Sequence, residues 1–307
     1  MMDRQLVMVL AALVFAGGCM PNPAATRPEW RRLARTPAEL GLAADTVSFV
    51  TVDSLRLRAW WLPATTPPAR ATVVLAHGSG TNRAGMLPRA AFIVAAGYDA
   101  LAVDLRAHGE SEGEYMSPGW READDIRAAV AWLRARDAAL PIVVLGHSYG
   151  AVAALHAGRD SALAAVIADA PFKSYDAMIR NASAAAKNDP RVTRGQRFGM
   201  AMVRVPGIRH LMAWHLSRSA GRVPADSAPA SFAVTQLRVP ALFIAGERDA
   251  IAIAPDVRQL HDSAAAPVRV YVELVGATHR THGDAREQYE REVLAFIQAV
   301  LSAAPQR

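Results

Sequence analysis

The sequence has almost no cysteine and almost no lysine. Cys19 is the only cysteine among 307 residues, which excludes an intramolecular disulfide framework, a cysteine-based zinc site and CxxC redox chemistry. Lys173 and Lys187 are the only lysines, so the formal net charge of +6 is carried almost entirely by arginine. HExxH and paired histidine–carboxylate spacings are missing as well, and no metal is expected. Sustained charged or low-complexity runs are also lacking. With 52% hydrophobic and 20% charged residues, a disordered or fibrous chain is excluded. What remains is one large globular domain, or a domain with a substantial insertion, and no internal repeat is visible. A pI near 10.0 permits nucleic acid, anionic lipid or an acidic substrate. Because no RNA or DNA motif is present and the charges are not interleaved with aromatics, no nucleic-acid partner is expected.

A long apolar run is missing too. Residues 6–18 form an apolar stretch of 13, whereas a membrane-spanning helix needs roughly 20. Arg4 precedes this stretch and small residues close it, so residues 1–18 read as an export signal. Ala16-Gly17-Gly18-Cys19 resembles a bacterial lipobox, which implies that Cys19 is lipidated and becomes the mature N-terminus. An ordinary cleaved signal that discards Cys19 is the alternative. The expected location is the cell envelope, with a membrane partner reached through the lipid anchor. Residues 19–45 read as a tether and N-terminal segment, rich in Pro and Ala over 21–28.

From Thr46 onward, strand-like and helix-like segments alternate. Residues 46–52 and 55–63 alternate apolar with polar side chains and predict an opening antiparallel hairpin. Short apolar runs at 71–76, 99–104, 142–146, 164–168, 241–245 and 269–275 are of the kind buried parallel strands show. Helix-length stretches lie between them, clearest at 119–136, where Ile126, Val130 and Leu133 recur at helical spacing. The pattern predicts an α/β fold with a mostly parallel, doubly wound sheet over residues 46–172 and 240–304. Residues 173–239 break the rhythm and read as an inserted helical lid. Its segment 173–222 holds ten Lys or Arg against Asp176 and Asp189, a net of +8, so the basicity is local.

The chemistry concentrates at Gly146-His147-Ser148-Tyr149-Gly150, between an apolar strand and a helix-like stretch. A serine at such a turn needs a strained backbone, and glycines two residues to either side remove side chains that would collide with the neighbouring elements. Ser148 is therefore the candidate nucleophile, with the Tyr149 N–H aimed at the same space. The glycine-rich turn His77-Gly78-Ser79-Gly80 follows the 71–76 strand, and Ser79 is expected to supply a second oxyanion N–H. His77 is expected to hold that loop rather than to move protons. Asp249 follows the 241–245 strand and His279 follows the last strand, both at the C-terminal edge where open α/β sheets place ligands. His282 is the rival base. Glu110, Glu112 and Glu114 read as a solvated face.

By these residues the sequence is identified as a member of the α/β-hydrolase superfamily, in its serine-hydrolase branch. It resembles the exported or lipid-anchored bacterial members related to prolyl-oligopeptidase-like and serine-aminopeptidase-like hydrolases. The resemblance rests on the GxSxG pentad, on Asp104-Leu105-Arg106-Ala107-His108-Gly109-Glu110-Ser111 as a DxRGxGxS segment with Ala107 in place of its first glycine, and on Gly246-Glu247-Arg248-Asp249 as a GxxD acid motif. The chain order Ser148, Asp249, His279 is the order of this fold. The expected activity is hydrolysis of a carboxylic ester, or of an amide or thioester, through an acyl-enzyme, with a small-molecule acyl substrate and no cofactor. Acyl transfer, peptide cleavage with the same triad, and a non-catalytic binding protein on the same scaffold remain alternatives. In the lid, Met202, Met212 and Trp214 are the expected substrate-binding residues, within a basic amphipathic stretch that Pro206-Gly207 divides.

Overall fold

Alternation decides the first two strands. The computed structural model describes residues 32–117, 119–159, 162–186, 193, 205, 207 and 229–303. Strands β1 (Asp45–Val50) and β2 (Arg56–Leu62) pair antiparallel, with Phe49 opposite Leu57, and both of these residues turn inward. Their turn is closed by Thr51, whose Oγ1 donates to Asp53 and accepts from the Leu55 N–H.

The six following strands are β3 (Thr72–Ala76), β4 (Asp99–Val103), β5 (Ile142–His147), β6 (Ala165–Asp169), β7 (Ala241–Gly246) and β8 (Arg269–Leu274). The sheet order is β1-β2-β4-β3-β5-β6-β7-β8, and every neighbouring pair from β4 to β8 is parallel. Strands β3, β6 and β7 are buried at every position, as expected of parallel strands covered on both faces. At the sheet edge β8 is only partly covered, and its burial pattern loosens accordingly.

Helices among the described residues are α1 (Leu87–Ala95), α2 (Glu122–Arg136), α3 (Tyr149–Ala157), α4 (Tyr175–Ala186), α5 (Ala230–Val234), α6 (Ala254–Asp262), α7 (Thr281–Asp284) and α8 (Arg286–Ala303). Alternate side chains of one strand feed two cores. Val73 and Leu75 join Phe92 and Ile93 of α1 and Val293 and Ile297 of α8 on one face. Val74 and Ala76 join Ile126 of α2, Val152 of α3, Val234 of α5 and Val257 of α6 on the other. Helix α2 starts with Glu122, Asp124 and Asp125 and ends with Arg134 and Arg136, charges that complement its dipole.

Strand β3 lies between β4 and β5, so the order of connection reverses there and the loops after β3 and β5 open a crevice at the C-terminal edge. Of residues 173–239, the described part includes α4 and α5 and holds the polypeptide close to β6 and α6. Residues 1–18, Cys19, Met202, Met212 and Trp214 lie outside the described residues. Among the described residues no helix is long and apolar enough to cross a membrane.

Candidate active site

The strand-to-helix turn between β5 and α3 puts Ser148 at φ 53°, a left-handed conformation that a residue with a side chain rarely adopts. Two close approaches enforce it. A Cβ on Gly146 would strike the Gly150 carbonyl, and one on Gly150 would strike the Ala76 carbonyl of β3. The turn is further pinned by the Ser148 N–H, which donates to the Asp169 carbonyl at 2.7 Å. Tyr149 is the first residue of α3, so its N–H has no intrahelical partner.

Three side chains converge at the C-terminal edge. Ser148 Oγ donates to His279 Nε2 at 2.8 Å, and His279 Nδ1 donates to Asp249 Oδ2 at 2.7 Å. The tautomer follows from the partner, because a carboxylate can only accept. Asp249 is anchored through its other oxygen by the N–H groups of Ile251 and Ala252, at 2.7 and 3.0 Å. Gly246 lets the two loops meet: a Cβ there would sit 2.7 Å from the Ala277 carbonyl oxygen. Burial disfavours the charged imidazole of His279, but the Asp249 carboxylate outweighs it and holds the ring's pKa above its ordinary 6.5.

Gly78 faces the elbow directly, since a Cβ at that position would lie 3.4 Å from Ser148 Cβ and 3.3 Å from the His147 ring. Ser79 follows it on the exposed side of the loop. His77 is fully buried, accepts from the Leu105 N–H at 3.1 Å through Nε2 and donates to the Gly78 carbonyl at 2.8 Å through Nδ1. Burial pulls its pKa down to about 4, so it is a neutral spacer that joins the β3 and β4 loops. His282 is directed elsewhere. Its Nε2 donates to Glu290 at 3.1 Å and its ring stacks on Phe92 at 5.7 Å, leaving His279 alone beside Ser148.

One part of the site has no counterpart among the sequence candidates. Asp169, at the end of β6 and fully buried, accepts from Arg89 at 2.6 Å, Thr281 at 2.6 Å, Tyr289 at 2.9 Å and His147 at 3.1 Å. Burial alone would raise its pKa, but Arg89 and His147 overcome that and hold the carboxyl far below the usual range. The four donors come from α1, the elbow, α7 and α8, so one carboxylate joins the serine turn to the histidine loop. The signal in the sequence was an acid closing an apolar strand next to the elbow strand. Glu122, also fully buried, accepts from the N–H and hydroxyl of Ser117 and the N–H of Gly119, bracing the segment that packs against α3.

A family model described as the alpha/beta hydrolase family matches residues 73–292, well over half of the chain. The chain belongs to the alpha/beta hydrolase family. Among relatives of this hydrolase, the uncharacterized protein YfhR of Escherichia coli O157:H7 is 26% identical over 272 residues, covering 85% of this chain and 82% of its own. The quorum-quenching protein AidA of Acinetobacter baumannii is 35% identical over 126 residues, which is 39% of this chain and 41% of its own. Among solved structures, the Pyrococcus furiosus esterase PF2001 superposes with a TM-score of 0.71 at 23% identity, covering 89% of this chain and 97% of that one. This likeness shows the shared fold. The expected α/β-hydrolase architecture with an antiparallel N-terminal hairpin is the one present.

Two sequence expectations gain detail from the structure. The solvated acidic face at Glu110, Glu112 and Glu114 is exposed, yet Glu110 pairs with the buried Arg83 and Glu112 accepts from the Arg56 N–H at 2.8 Å. The β6 strand extends to Asp169 rather than stopping at Ala168, because its last ladder position is set by pairing with β5 and β7 and not by apolarity. Among the described residues no group of three or more His, Cys, Asp or Glu side chains is placed to hold a metal ion.

Proposed function

We propose that this hydrolase cleaves a carboxylic ester, with an amide or thioester as the alternative substrate, through an acyl-enzyme on Ser148. The observation that carries the reading is the continuous chain of hydrogen bonds from Ser148 Oγ through His279 to Asp249. His279 takes the hydroxyl proton as Ser148 Oγ bonds to the substrate carbonyl carbon, and it returns that proton to the departing alcohol as the carbon–oxygen bond breaks. Water, deprotonated by the same ring, then releases the acid and restores Ser148. Asp249 fixes the tautomer and stabilises the imidazolium. The N–H groups of Tyr149 and Ser79 receive the developing oxyanion, a role consistent with the absence of a side chain at Gly78. The small-molecule acyl substrate sits over the C-terminal edge, where Met202, Met212 and Trp214 of the inserted segment contact its acyl chain. The Pyrococcus furiosus neighbour, an esterase, supports the ester over the amide.

The test is labelling of the purified full chain with a fluorophosphonate, followed by turnover of p-nitrophenyl esters against matched aminoacyl amides. Undiminished labelling of a folded Ser148→Ala variant would overturn the assignment. Export and lipidation at Cys19, in a lipoprotein-like member of the prolyl-oligopeptidase-like and serine-aminopeptidase-like branch, belong to the same proposal and rest on the sequence of residues 1–19. Labelled palmitate incorporated by the wild type and lost in Cys19→Ser is the expected result.

A further inference from the structure

A second concavity, of about 510 Å³, is lined by Trp120, Arg127, His156, Arg159, Gln236 and Arg238. None of these belongs to the Ser148–His279–Asp249 set. His156 lies seven residues along α3 from Tyr149, about 10 Å of helical rise away from the elbow. Gln236 and Arg238 precede β7, whereas Asp249 follows it, so the cavity opens toward the opposite edge of the sheet.

Among the described residues its charge is not fully cancelled. Arg127 donates to Asp124 at 2.6 Å and to the His156 carbonyl at 3.2 Å, which fixes its guanidinium and neutralises it. Among the described residues Arg159 and Arg238 make no ion pair and no side-chain hydrogen bond, although both face the same space. Both are exposed, and their backbones lie side by side, the Arg238 N–H donating to the Gly158 carbonyl at 3.1 Å. Trp120 stands at the wall with 43% of its surface exposed, a large apolar ring left in water beside guanidinium groups.

We infer that this cavity is a binding site for a phosphate monoester, its phosphate gripped by Arg159 and Arg238 and its organic part laid on Trp120. The charge decides between anions. A carboxylate brings one negative charge, whereas a phosphate monoester brings roughly −1.5 to −2 at neutral pH and three strong acceptor oxygens, matching two forked cations. Arg127 and the Gln236 amide complete the donor set. The ring contributes stacking or apolar contact to the ester group, which inorganic phosphate cannot use. The inference is independent of the chemistry at Ser148.

The same monoester chemistry occurs in a soluble phosphate ester and in a phosphatidic acid headgroup, so the experiment has two arms. Calorimetry of the full chain at low salt measures phenyl phosphate and inorganic phosphate. Sedimentation with phosphatidylcholine vesicles, with and without phosphatidic acid, measures the headgroup. Phenyl phosphate is expected to bind one site, more tightly than inorganic phosphate and more weakly as salt rises. The Arg159→Gln/Arg238→Gln variant should weaken it about tenfold or more, the loss that follows removal of charge-assisted hydrogen bonds. Trp120→Ala should erase the preference for phenyl phosphate over inorganic phosphate. An Arg286→Gln/Arg291→Gln variant, which removes the same charge on α8, should bind like the wild type. Phosphatidic acid vesicles that retain the wild type but not the Arg159/Arg238 variant identify a headgroup, and soluble binding with no such vesicle difference identifies a soluble ester. Absence of saturable binding in both arms, or unchanged binding by the folded Arg159/Arg238 variant, overturns the site.

Discussion

Thr281 donates its hydroxyl to the Asp169 carboxylate, Oγ1 to Oδ1 at 2.6 Å, and so ties the segment just after His279 to the strand end beside the nucleophile elbow. His147, next to Ser148, donates to the other oxygen of the same carboxylate. The spacing between Ser148 and His279 is therefore held by a shared acceptor as well as by their own hydrogen bond. Thr281→Val keeps the shape and removes the donor. We expect kcat to fall about tenfold with KM nearly unchanged, since small misplacements of a reacting group cost one to two orders of magnitude. Stability should fall by about 1.5–3 kcal/mol, the size of a hydrogen bond to a charged group. Steady-state kinetics and urea denaturation check both.

Replacing Asp169 has larger consequences and a pH signature. Asp169→Ala leaves the buried Arg89 unpaired and should cost about 3–5 kcal/mol. The folded pKa of Asp169 lies below its unfolded value near 3.8, so the unfolded chain binds more protons as the solution is acidified. The carboxylate's contribution is complete above the unfolded pKa and is lost as pH falls through the folded one. The gap in stability between wild type and Asp169→Asn should accordingly narrow below about pH 4, measured by denaturation at stepped pH.

The activity profile rests on a pKa shifted in the opposite direction. In the proposed mechanism His279 acts as a base only when neutral, and Asp249 raises its pKa above 6.5, so kcat/KM should decline on acidification with a midpoint above that value. In Asp249→Asn the opposing carboxylate is gone and burial prevails. The midpoint should move to lower pH while kcat drops by about 10⁴-fold, as expected when the tautomer is no longer fixed. A midpoint that stays in place would remove Asp249 from its proposed role.

The strands were legible because parallel strands buried on both faces read as apolar runs, and their ends differ from the apolar boundaries by a residue or so where ladder pairing extends past the run. Ser148, Asp249 and His279 were legible because each stands at the end of such a run with its own turn motif. Asp169 was not. Its partners Arg89, Thr281 and Tyr289 lie 80, 112 and 120 residues away, and no local pattern contains them. The sequence favoured His279 and left His282 as a rival base, and the packing of His282 against Phe92 and Tyr289, with His279 on Ser148, separates them.

Two glycines near the site should respond differently to the same added methyl group. At Gly150 a Cβ would meet the backbone of Ala76 and His77, which cannot move without shifting β3. Gly150→Ala should cost about 1–3 kcal/mol and displace Ser148, with activity lost before the fold. At Gly276 no atom lies within 4 Å of the added Cβ, and only its φ of 71° resists. Gly276→Ala should cost only about 1 kcal/mol and retain turnover.

The reverse experiment is available at Ala107. At the place of the first glycine of the DxRGxGxS segment that it resembles, this chain has a buried alanine at φ 61°, held there by its N–H donating to the Glu112 carbonyl at 3.0 Å. A left-handed residue with a Cβ costs about 1–2 kcal/mol, part of which returns as glycine's larger unfolded-state entropy. Ala107→Gly should thus stabilise the fold by up to about 1 kcal/mol and raise Tm by about 2–4 °C. Gly109, two residues on at φ 54°, sets the control, because a Cβ there would collide with the Asp104 carboxylate that pairs with buried Arg83. Gly109→Ala should therefore lower Tm by more than Ala107→Gly raises it. If Ala107→Gly also destabilises, the methyl group contributes more through packing than its backbone conformation costs.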